Sequence, residues 1–218
     1  MASTGIEQFQ DLTLTGTTEQ LDQIKAFIVE ALAPPWSHAP ETEKELGRGS
    51  TSTVLVAHRT QTKDIPAARL FLFRSEHAWS VGNIVPSLAS SMTKSQYNSI
   101  LNDFRVSFVQ PAAERLHFNV NVTADHQSLE DWLPAEAARA LRAFSSSANK
   151  STGSSHPLDR ARWFAFLALA YGHTKHFDSS RLMQWLVDIE RWPEDEASDL
   201  AIEYEFGLGL IEYVKTHA

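Results

Sequence analysis

The sequence predicts an α+β protein. An antiparallel sheet with two helices, arranged as a split β-α-β unit, occupies residues 1–127, and a helical subdomain occupies residues 128–218. Three observations carry this. Short apolar runs, some with two-residue alternation, are interleaved with capped helical stretches up to Thr123. From Ser128 onward apolar residues recur only at helical spacing. A Ser/Gly-rich stretch, residues 145–155, interrupts that second half and reads as a linker or a ligand-contacting loop.

Leu12 to Leu14 alternates with threonine as a short strand, and Thr17-Thr18-Glu19-Gln20 has the spacing of a capping box. Leu21, Ile24, Phe27, Ile28 and Leu32 then share one helical face, which Pro34-Pro35 ends by removing amide donors; a loop is expected to Ser50. Thr53 to His58 and Arg69 to Arg74 read as buried strands, and Trp79 to Val81 can add another before a loop over residues 83–91. Thr93 caps a helix presenting Tyr97, Ile100, Leu101, Phe104 and Phe108, expected to stop near Pro111. His117 to Thr123 is the cleanest strand, with Phe118, Val120 and Val122 on one face and four polar side chains on the other. Strand, helix, strands, helix, strand is the order of a fold that is ferredoxin-like in outline.

In the second half Ser128 and Asp131 can cap a turn, and Pro134 leads Ala137, Ala138, Leu141 and Phe144 along one helical face. Pro157 opens a helix that Gly172 stops; Leu158, Trp163, Phe164, Phe166, Leu167 and Leu169 wrap more than half its circumference, which predicts a central helix. Asp178 or Ser179 caps the next, carrying Leu182, Trp185, Leu186 and Ile189. Trp192-Pro193 breaks it before a last helix whose apolar stripe is Ala197, Leu200, Ala201, Tyr204, Leu208 and Ile211, backed by acids.

Composition narrows the function classes. The chain has 218 residues, 43% hydrophobic, and no cysteine, so disulfides, thiolate catalysis and Cys-ligated metals are excluded. No apolar run reaches the roughly 20 residues of a membrane span, and the first residues lack the pattern of a signal peptide, so a cytoplasmic protein without membrane contact is expected. Charge is polarised: Asp178 to Ala218 holds ten acids against three bases, whereas Arg139 to Lys175 holds six bases against one acid. Opposite potentials of this kind steer encounters with partners.

Local patterns supply candidate chemistry. Lys150, His156, Arg160 and Arg162 surround a helix start and can hold an anion, with His156 or Asp159 as the group that moves a proton. His173 and His176 are three apart and would need a third ligand, for which Asp178 is the nearest acid; Gly172 ends the helix there and the zinc-protease pattern is absent, so no metal site is expected, and no cofactor motif is present. Gly47-Arg48-Gly49-Ser50-Thr51 leads into a strand and reads as a tight turn. The polar face His117, Asn119, Asn121 and Thr123 lacks the aromatics of RNA-binding sheets and reads as a solvated face.

Two functions remain. The favoured one is a non-catalytic interaction protein, an accessory subunit, antitoxin or immunity-type partner. It would meet a basic protein surface through Trp185, Trp192, Glu194, Asp195, Glu196 and Asp199. The alternative is an enzyme or binder of phosphate ligands or nucleic acid using the segment Lys150 to Arg162; a pI near 5.6 opposes broad nucleic-acid binding but leaves room for a local patch.

Overall fold

The computed structural model describes residues 5–47, 53–88, 91–151, 156–173 and 177–217. The chain is α+β, an antiparallel sheet followed by helices, and it divides into two compact units. One is Glu7–Asp125; the other is His126–Ala218 together with the chain start through Ile6.

The sheet unit contains β2 (Leu12–Thr15), α1 (Thr18–Ala31), β3 (Trp36–His38), α2 (Pro40–Gly47), β4 (Val54–Arg59), β5 (Ala68–Arg74) and β6 (Ala78–Pro86). It continues with α3 (Lys94–Phe104), a five-residue π segment (Arg105–Val109), α4 (Gln110–Leu116) and β7 (Asn119–Val122). Its six strands lie in the order β3-β4-β5-β6-β2-β7, with every pairing antiparallel. β6 thus splits the parallel pair β2 and β5, and β2 splits β6 and β7, while β3 and β4 extend the β5 edge.

Local chemistry explains these elements. The Thr17 hydroxyl accepts from the Gln20 N–H and the Gln20 side chain accepts from the Thr17 N–H, the reciprocal capping box that starts α1. Leu21, Ile24 and Ile28 of α1 then pack with Leu12, Leu14, Leu70, Leu72 and Trp79 of the sheet. The buried Trp79 indole donates to the Leu21 carbonyl at 2.8 Å, so its polar atom carries no desolvation penalty.

Several expectations are corrected. Residues 40–47 form α2, although no apolar face announces it. Glu43 fastens it, accepting from Lys25 at 2.5 Å and from the Val56 N–H at 2.9 Å. β6 runs on to Pro86, and β3 is an added strand. The helix expected to stop near Pro111 passes through it: the Gln110 N–H reaches back five residues to the Arg105 carbonyl. Pro111, which has no N–H to offer, then falls in the first turn of α4. The turn expected around residues 47–51 lies outside the described residues apart from its first.

The helical unit holds β8 (His126–Gln127), a 3-10 turn (Leu129–Asp131), α5 (Ala135–Ser147), α6 (Pro157–Ala170), α7 (Ser179–Asp188) and α8 (Glu194–His217). β1 (Ile6–Glu7) and β8 form a two-stranded ladder, and Ile6 is buried in the helical core. That core is aromatic: Phe144 stacks on Trp192 at 5.5 Å, Phe166 stacks on Tyr204 at 5.9 Å, and the Tyr204 hydroxyl donates to the Phe177 carbonyl at 2.7 Å. The start of the Ser-rich stretch is helix, because Ser145 is buried, accepts from the Trp192 indole and donates to Glu190, both at 2.8 Å. Residues 152–155 of that stretch lie outside the described residues. No helix among the described residues is long and apolar enough to cross a membrane.

Candidate functional site

The basic residues expected to hold an anion each have a partner within the unit. His156 is the N-cap of α6, its Nδ1 accepting from the Leu158 N–H at 3.2 Å. Arg162 donates to the buried Asp159 at 2.9 Å, and Arg160 reaches Glu203 at 2.6 Å while lying over the Phe164 ring. Lys150 donates to the Glu190 carbonyl, with that residue's carboxylate 3.8 Å away and the Trp192 ring 5.9 Å beneath. The segment's positive charge is therefore met by acids from α6 itself, from α8 and from the turn after α7 rather than held open toward a phosphate. His176 lies outside the described residues, and His173 donates its N–H to Ala170 at the end of α6. Among the described residues no three metal-ligating side chains cluster.

The partner-binding residues divide. Glu194, Asp195 and Asp199 are exposed at the head of α8, and Glu196 is half-buried there. Trp185 and Trp192 are only 1% and 3% exposed. They are core residues, and this corrects their expected role as surface anchors. Packing inside a helical bundle satisfies an indole's large apolar area as fully as an interface does.

The surface aromatics lie elsewhere. α8 buries Ala197, Leu200, Ala201, Tyr204 and Leu208, as its stripe predicts. On the opposite side it exposes Ile202, Phe206, Leu210, Tyr213 and Val214, with Phe206 76% and Leu210 65% exposed. The helix is therefore apolar on two sides and not backed uniformly by acids. Its 24 residues span roughly 36 Å. α6 shows the same departure: Trp163, Phe166 and Leu167 are buried, but Leu158, Phe164 and Leu169 face water.

α6 and α8 run parallel, because Arg160 meets Glu203, Leu167 meets Gly207 and Tyr171 meets Glu212 in ascending order along both helices. A Cβ on Gly207 would come 2.6 Å from Leu167 Cδ1, so glycine there lets the helices approach. Between them lies an apolar groove of about 430 Å³, with Trp163 and Leu167 among the residues lining it beside Phe164, Phe206 and Leu210. A second hollow of about 450 Å³ is lined by Glu205, Phe206, Gly209 and Leu210. A third of about 370 Å³ runs beside Tyr171, Gly209 and Glu212. A Cβ on Gly209 would meet nothing within 4 Å. Among the described residues the position is open, and no packing between them requires glycine there.

Charge frames this apolar face. Glu205 accepts from the Ser179 hydroxyl and Glu212 from the Tyr171 hydroxyl, and both donors are neutral groups. The Glu212 carboxylate, in turn, holds the Tyr171 hydroxyl above its ordinary pKa. The signal that could have revealed the face was present in the sequence: Ile202, Phe206, Leu210 and Tyr213 follow helical spacing out of phase with the buried stripe. Comparison of the chain with family models, with curated proteins and with solved structures gives no match.

Proposed function

We propose that this chain is a non-catalytic cytoplasmic interaction protein, an accessory, antitoxin or immunity-type partner, which captures another protein on the outward face of α8 and the groove beside α6. One observation carries the reading: Ile202, Phe206, Leu210 and Tyr213 form a line of exposed large apolar side chains on the side of α8 opposite the core. Scattered surface apolars need no explanation, but a contiguous line on one helix marks an interaction surface. Burial of each such side chain contributes roughly 1–2 kcal/mol. The acids at the head of α8 favour a basic partner and the absence of cysteine favours a reducing compartment. The phosphate-ligand reading gains no support, since Lys150, Arg160 and Arg162 already have partners.

The test is affinity capture from the native extract with the wild-type chain and with Phe206→Asp/Leu210→Asp. The expected outcome is one stoichiometric protein retained by the wild type and lost by the variant, with thermal midpoints equal. Retention by both, or by neither, overturns the reading.

A further inference from the structure

We propose that the occupant of this face is a basic amphipathic helix of another protein, laid along α8 in coiled-coil register, with its apolar side chains against Phe206, Leu210 and the gap at Gly209. The proposal rests on the interaction reading above and names the partner's chemistry.

Register is the first argument. Asp195, Asp199, Ile202, Phe206, Gly209 and Tyr213 are spaced four, three, four, three, four, the alternation of positions that form a two-helix seam. Apart from the two acids at its head, this outward line offers large side chains around a glycine. A seam interdigitates when bulk on one helix meets a gap on the other. Gly209 is such a gap, since no described residue lies within 4 Å of a Cβ built there. An exposed glycine inside a helix costs stability, and no contact among the described residues of the helical unit explains it. A knob from an incoming helix does. The hollows meeting at Phe206, Gly209 and Leu210 supply the shape that such a knob needs.

Charge complementarity is the second argument. The seam begins with Asp195 and Asp199, and Glu205 and Glu212 flank its apolar part on one side. Flanking charges choose the partner of a helical pair, so carboxylates here call for lysine or arginine on the incoming helix. A second copy of this chain is disfavoured by the same arithmetic. A parallel copy would set Asp195 and Asp199 against themselves. An antiparallel copy, with Phe206 seated over the facing Gly209, would bring Glu205 beside the facing Glu212. Each copy also carries a net charge of −8.

The probes are two fluorescein-labelled 21-residue peptides with leucine at both seam positions of each heptad. One carries lysine and the other glutamate at the flanking positions. Anisotropy with the full chain is expected to favour the lysine peptide by ~100-fold or more, an advantage that shrinks with salt. Phe206→Ala should weaken it by ~10-fold or more. Gly209→Leu should weaken it as well, by filling the gap. Asp199→Lys/Glu205→Lys/Glu212→Lys should reverse the preference, whereas Glu30→Lys/Glu45→Lys/Glu76→Lys, an equal charge change on the sheet unit, should leave it intact.

Equal binding of the two peptides, no binding of either, or lysine-peptide binding indifferent to Phe206→Ala would overturn the proposal. So would sedimentation of the wild type as a dimer that Phe206→Asp dissolves, because the occupant would then be a second copy. Capture of a native protein through Phe206 with no lysine-peptide binding removes this inference and leaves the interaction reading standing.

Discussion

α1 in the sheet unit and α8 in the helical unit both contribute one apolar stripe to a core, but they treat the opposite side differently. α1 buries Leu21, Ile24 and Ile28 and turns Glu19, Asp22, Gln23 and Glu30 to water. α8 buries Leu200, Tyr204 and Leu208 and turns Ile202, Phe206, Leu210 and Tyr213 to water. The folding requirement is met by one stripe in each case. A second stripe adds nothing to the core of its own unit, and the proposed function assigns it to a partner.

The largest expected effects test whether the two stripes of α8 are separable. Tyr204→Ala removes a buried ring packed on Phe166 and a hydrogen bond to Phe177, and should cost about 3–5 kcal/mol in urea titration. Ile24→Ala in α1 should cost about 2–5 kcal/mol for the same reason. Phe206→Ala, two residues from Tyr204, should change stability by less than about 0.5 kcal/mol, because its ring is already in water. A loss above 2 kcal/mol at Phe206 would show that the outward stripe is structural and would erase the contrast with α1.

Smaller effects come from the two glycines. Gly209→Ala should stabilise the chain by about 0.5–1 kcal/mol, since alanine is the better helix former and its Cβ meets none of the described residues. Gly207→Ala makes the same backbone gain but drives Leu167 Cδ1 aside, and should come out less stable than Gly209→Ala. Equal melting points for the two would mean that Leu167 yields freely and that the close approach of α6 and α8 does not depend on glycine.

What was legible in the sequence was what local chemistry decides. The Thr17 capping box, the Thr93 cap, the helix start at Pro157 and the Gly172 stop fall where the spacing puts them, and of the two caps expected before α7 it is Asp178 that serves. α2 was hidden because its stability is tertiary: Pro40–Gly47 has no apolar face and is fastened by Glu43 to Lys25 and β4. The basic segment misled for a related reason. The acids that occupy Arg160 and Lys150 lie 43 and 40 residues further along the chain. Trp185 and Trp192 misled because residue type alone does not divide core from interface. The outward line of α8 was in the sequence, but reading one stripe per helix left its residues unassigned.

The smallest expected effect is electrostatic and again contrasts the units. In the helical unit Glu130 is held at a pKa of about 2 by the two-pronged hydrogen bond from Arg142, a pair more than a third exposed. In the sheet unit Glu43 is only 11% exposed; burial pushes its pKa up, but Lys25, the Val56 N–H and His38 together pull it below the ordinary value. Both folded values lie below the unfolded one, so both contributions are present at neutral pH and decline as pH falls below about 4.5. Solvent screening limits the Glu130 contribution to about 1 kcal/mol or less. Glu130→Gln should therefore flatten the stability profile slightly between pH 4.5 and about 2, and the difference from wild type should shrink in high salt. Glu43→Gln should lose stability that salt does not restore, because one of the bonds it weakens runs to a backbone N–H rather than to a charge. A salt-insensitive Glu130 effect would place that pair in a drier setting than its exposure implies, and the electrostatic difference between the two units would vanish.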